Sequence, residues 1–104
     1  MTGYVIVSTT TDDRSLAGTI ARSAIERRLA ACARIHSAES VYRWDGRIET
    51  AEEFVVELKT TVEAQARVEA LILELHSYDL PEVVVTPILG GSKAYLDWIS
   101  DEAS

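Results

Sequence analysis

Ser40-Val41-Tyr42-Arg43-Trp44-Asp45-Gly46-Arg47-Ile48-Glu49-Thr50 decides the fold. Asp-Gly between two β-prone runs is the strongest short hairpin signal, because both central positions of the tight turn need positive φ. Downstream, Phe54, Val56 and Leu58 alternate with Val55, Glu57 and Lys59, which predicts a strand with one apolar and one mixed face. Upstream, Ala30 to Ile35 reads as a strand of small residues that permit close approach of a helix or another subunit. Tyr4 to Thr9 is a β-branched strand. Thr11 or Asp12 is placed to cap a helix striped by Leu16, Ala17, Ile20, Ala21, Ala24 and Ile25.

Beyond the hairpin, Thr60 and Glu63 have the capping-box spacing ahead of a second helix striped by Val62, Val68, Leu71, Ile72 and Leu75. Val83-Val84-Val85 predicts a strand closed by Pro87, and Gly90-Gly91 precedes a short helix with Tyr95, Leu96, Trp98 and Ile99. The order is βα, then β with a hairpin, then βαβ and a terminal helix. That is an α+β chain on the split βαβ, ferredoxin-like plan, read as one domain over residues 1–104 with helices on one face of an antiparallel sheet.

Lys+Arg 10 against Asp+Glu 17 leaves a formal charge of −7, which repels phosphate backbones and sets nucleic acid aside. The same excess attracts cations as a field, without defining a site. No apolar run approaches the roughly 20 residues of a membrane helix, so no membrane partner is expected. Cys32 is the one cysteine, which fits a reducing compartment. With no leader-like start, the expected location is the cytoplasm.

The polar residues gather in Leu75-His76-Ser77-Tyr78-Asp79-Leu80-Pro81-Glu82, between the second helix and the apolar strand. Loops held by rigid elements are where binding groups collect. His76 is either a helix C-terminal cap, charged and bonded to the last carbonyls, or a metal ligand completed by copies of itself. Glu82 is a ligand, a general base or a solvated charge. Tyr42 and Trp44 alternate onto one hairpin face, as interface anchors or as a stacking surface. Lys59, on the mixed face, needs a carboxylate such as Glu57, or an anion. Cys32 reads first as a small buried hydrophobe. Glu52-Glu53 reads as an exposed strand start.

Several segments resemble the CutA (CutA1) divalent-ion tolerance proteins. They are Thr9-Thr10, Glu26-Arg27-Arg28-Leu29-Ala30-Ala31-Cys32, the Ser40–Gly46 run, Lys59-Thr60-Thr61, the His76–Glu82 run and Tyr95-Leu96-Asp97-Trp98-Ile99. The resemblance implies a homotrimer, similar in architecture to the PII signalling proteins, with clefts between subunits. It also implies binding of a divalent metal (copper or zinc) or a small-molecule ligand there. On that reading the cleft residues are Cys32, Tyr42, Trp44, Lys59, Tyr78 and Glu82, and the metal residue is His76. Some members bind copper through a cysteine and two adjacent histidines; the matching positions here are Thr9 and Leu75-His76, and Ser77 replaces a usual proline. No catalytic reaction comes with the family.

Three functions follow, in order. The first is a trimer that binds divalent cations or a small ligand and serves metal tolerance. A PII-like signalling or scaffold trimer is the alternative. An enzyme using His76 and Glu82 as acid and base, with Lys59 holding an anionic substrate, stands last because no residue pattern names a reaction.

Overall fold

The computed structural model describes residues 2–104. Its elements run β1 (Tyr4–Thr11), α1 (Arg14–Glu26), β2 (Cys32–Trp44), β3 (Arg47–Thr61), α2 (Gln65–Leu75), β4 (Val84–Pro87) and α3 (Lys93–Glu102). The sheet order is β2-β3-β1-β4 with every pairing antiparallel, the ferredoxin-like arrangement expected from the element order.

Period-two alternation sorts the sheet into two faces. Val5 and Val7 of β1 and Val56 and Leu58 of β3 point to one side, where α1 covers them with Ala17, Ile20, Ala21 and Ala24. Val68, Leu71 and Ile72 of α2 complete this core. Burial of such aliphatic side chains is worth about 1.5–3 kcal/mol each, so this layer supplies most of the driving force. The other side carries Thr10, Glu53, Val55, Glu57 and Lys59, and α3 reaches it through Tyr95, whose hydroxyl is 3.1 Å from Lys59 Nζ.

The hairpin is longer and more regular than its composition suggests. Residues 30–35 and 40–44 read as separate strands, yet Cys32↔Lys59 through Trp44↔Arg47 is one unbroken register. Ladder hydrogen bonds to β3 hold the polar stretch His36 to Glu39 extended, overriding weak β propensity. Asp45 and Gly46 have φ of 51° and 75°, the paired positive values of a tight hairpin turn. The far half of the hairpin runs past the helices, giving a molecule 45 Å long and leaving Val41, Trp44 and Ile48 more than half exposed.

Three local expectations fail. Asp13 caps α1, accepting from the N–H groups of Ser15 and Leu16, because β1 continues through Thr11 and pairs it with Phe54. No side chain caps α2: Thr60 of the expected capping box donates to the distant carbonyl of Leu29, and Thr61 accepts from Ala64 N–H in the turn before the helix. Val62 precedes α2 and is exposed, leaving the helix stripe to the residues after it. At the other end of α1, Arg28 has φ 57°, while Leu29 N–H bonds the Ala24 carbonyl and Arg28 N–H that of Ile25. This is a Schellman motif with arginine where glycine is usual. The Arg28 guanidinium donates to the Asp101 and Ser104 carbonyls, tying α3 to that turn.

Candidate functional site

The loop after α2 crosses the end of β1 and is pinned there by side chains. His76 is the C-cap residue of α2, but its ring leaves the helix. Its Nε2 lies 2.7 Å from the carbonyl oxygen of Thr10, and its Nδ1 accepts the Tyr78 N–H at 3.1 Å. An Nδ1 that accepts has no proton, so the bonding assigns the neutral tautomer with the proton on Nε2, donated to Thr10. The charged, carbonyl-bonded cap expected at this position is therefore replaced by a neutral clip between the end of β1 and the loop after α2. Protonation would turn an N–H toward the Tyr78 N–H.

Tyr78 extends the same strap. Its hydroxyl accepts from Asp12 N–H at 2.9 Å and lies 3.3 Å from Glu53 Oε2, to which it donates. Burial first, then the negative charges of Asp12 and Glu53, push the phenol above its ordinary value; the Asp12 N–H bond opposes them. The Thr10 hydroxyl donates to Glu82 Oε1 at 3.4 Å.

These contacts border a groove of about 710 Å³ between the strap and the hairpin. The hairpin side carries Ser40, Val41, Tyr42, Trp44 and Glu53. The strap side carries Ser77, Tyr78, Asp79, Leu80 and Glu82, with Thr10 at the end of β1 between them. All three charged lining residues are anionic. Glu53 is only 9 % exposed, and its one side-chain hydrogen bond among the described residues is the Tyr78 hydroxyl.

Of the residues anticipated at a cleft, Tyr42, Trp44, Tyr78 and Glu82 meet in this groove, and His76 stands behind it as the clip. Cys32 and Lys59 pair with each other at the opposite end of the β2–β3 ladder and do not line it. The partner of Lys59 is a phenol rather than a carboxylate: Tyr95 holds the ammonium by its hydroxyl and by its ring, 5.2 Å away. Glu53 was misread from the sequence, since the strand start expected to be exposed is buried at this position. Its alternation with Val55 and Glu57 puts it on the mixed face, but nothing local announces that Tyr78 covers it.

A copper or zinc centre does not fit one chain. Such ions take three or four protein donors. Among the described residues no three of His, Cys, Asp and Glu converge. Both nitrogens of His76 are engaged, and Thr9, at a copper-ligand position of some CutA proteins, is a fully buried hydroxyl facing the core.

The model of the CutA1 divalent ion tolerance proteins matches residues 5–102. This chain belongs to the CutA1 family. The divalent-cation tolerance protein CutA of Thermus thermophilus is 37 % identical over 97 residues, covering 92 % of this chain and 94 % of that one. A chloroplastic CutA of Arabidopsis thaliana is 34 % identical over 98 residues, 93 % of this chain and 54 % of that one. A solved structure of the periplasmic divalent cation tolerance protein CutA from Archaeoglobus fulgidus superposes with a TM-score of 0.93 at 35 % identity, covering 97 % of this chain and 99 % of that one. The CutA1 likeness thus spans nearly the whole chain, hairpin and terminal helix included.

These relatives correct the location drawn from the start of the chain and its single cysteine. CutA proteins are described as periplasmic in one relative and chloroplastic in another, so a cytoplasmic default does not follow from an acidic, single-cysteine chain. Net charge and cysteine count report on solubility and redox chemistry; neither encodes an address.

Proposed function

We propose that this CutA1 chain acts in divalent-cation tolerance as a homotrimer that binds a small ligand in the groove between hairpin and strap. The observation that carries this reading is Glu53, a carboxylate 9 % exposed whose single bonded partner is a phenol. A largely covered carboxylate with one oxygen unpartnered is a ready acceptor for the positive group of a ligand or a neighbouring copy. Trimerisation accounts for the exposed Ile48 of the projecting hairpin, an apolar side chain that a lone copy leaves in water. It also supplies donors from a second chain for any divalent metal, which one chain lacks.

Binding, rather than catalysis, suits the chemistry of the strap. With both nitrogens of His76 committed to backbone groups, neither is free to exchange a proton with a substrate. Light scattering checks the assembly, with a mass of three 11.5 kDa chains expected and a monomer ruling it out. Calorimetric titration of Cu(II) and Zn(II), alone and with a panel of small organic ions, checks the groove. Saturable binding that weakens in Glu53→Gln supports the reading. Binding unchanged by that substitution moves the site elsewhere.

A further inference from the structure

We infer that the groove selects an organic cation: a primary or substituted ammonium carried on an apolar or aromatic body. The inference rests on the groove being the ligand site and adds the chemical class. Four observations converge on it. The charged lining residues, Glu53, Asp79 and Glu82, are all acids, so an anionic ligand is repelled. Glu53 is nine-tenths buried, and its Oε1 has no hydrogen-bond partner among the described residues. Tyr42 and Trp44 line the same groove, 44 % and 52 % exposed, as aromatic surface for an apolar body or for a cation over a ring face. A divalent metal needs three or more converging donors, which are not assembled; an ammonium needs one carboxylate and a hydroxyl or two.

The geometry supplies those partners. Oε1 of Glu53 is open for a charge-assisted hydrogen bond, while Tyr78 holds Oε2 and fixes the carboxylate by its own bond to Asp12 N–H. The hydroxyls of Thr10 and Ser40 border the same space. The apolar side chains of Val41, Tyr42, Trp44 and Leu80 in the lining then favour a ligand whose charge sits at one end.

The test is calorimetry on the intact protein with phenethylammonium and with phenethyl alcohol, which share a body and differ in charge, and with Zn(II) alone. The expected result is that the ammonium binds tighter than the alcohol by about tenfold or more. Glu53→Gln keeps an acceptor for Tyr78 and should remove that preference, leaving alcohol affinity unchanged. Trp44→Ala, at an exposed position, should weaken both. Equal binding of ammonium and alcohol, or a preference that survives Glu53→Gln, overturns the cation class while leaving the groove as a ligand site. Saturable Zn(II) binding that Glu53→Gln removes, with no ammonium binding, overturns it in favour of a metal. No binding of any probe overturns both this inference and the groove itself.

Discussion

His76 Nε2 lies 2.7 Å from the carbonyl oxygen of Thr10, a bond that joins the end of α2 to β1 across 66 residues of sequence. With Tyr78 N–H on the other ring nitrogen, the imidazole closes the loop that forms one wall of the groove. Replacing His76 with Ala should cost about 1–2 kcal/mol, the usual worth of two hydrogen bonds whose partners are left behind. Chemical denaturation measures the loss, and hydrogen exchange of the Tyr78 amide locates it. An unchanged exchange rate at Tyr78 would show that the loop is held without the clip.

Tyr78 gives the protein an alkaline sensitivity. Its folded-state value lies above the ordinary value of about 10, because burial and two nearby acids disfavour the phenolate. Below about 10 the phenol is protonated in both states and its stabilising contribution is complete. As pH rises, the unfolded chain releases its proton first, so stability declines until the folded value is passed. The wild type should lose stability faster than Tyr78→Phe above about pH 10, a difference read from urea denaturation at stepped pH. Parallel curves for the two proteins would mean the phenol ionises alike in both states.

Thr9 presents the opposite case. Its Oγ1 is buried without a hydrogen-bond partner, on the core face beside Val7 and Val56. Valine has the same shape without the hydroxyl, so Thr9→Val should raise stability by about 1 kcal/mol. Thermal melting at fixed protein concentration tests this; a lower midpoint would mean that the hydroxyl is satisfied in solution.

Glu39 and Glu52 face each other directly in the β2–β3 register. Like charges in that position repel, and opposite charges attract by a few tenths of a kcal/mol to about 1. Glu39→Lys should therefore stabilise the hairpin by roughly 0.5 kcal/mol, with a gain that shrinks as salt is added. A gain independent of ionic strength would assign the effect to something other than charge.

Much of the fold was legible because its signals are local. Asp45-Gly46 declares a turn through backbone sterics, and Phe54, Val56 and Leu58 declare a face through period-two alternation. The stripes do the same at helical period: Ala17, Ile20, Ala21, Ala24, Val68, Leu71 and Ile72 are buried and Leu16 and Leu75 partly so, whereas Ile25 and Val62 at the margins are exposed. Caps were less legible. Asp13, Thr60 and Thr61 each have several partners within reach, and strand length decided between them.

The groove was half legible. Of the cleft residues that the family resemblance implies, Tyr42, Trp44, Tyr78 and Glu82 lie together, whereas Cys32 and Lys59 lie at the other end of the ladder. By itself the sequence determined most of the elements, their order and the net acidic charge, since these follow from propensity, periodicity and composition. Only the tertiary structure decided that His76 is a neutral clip and that Glu53 is a buried carboxylate. Both outcomes depend on partners 66 and 25 residues away, Thr10 and Tyr78, and a side chain's protonation and solvation are set by what the fold brings against it.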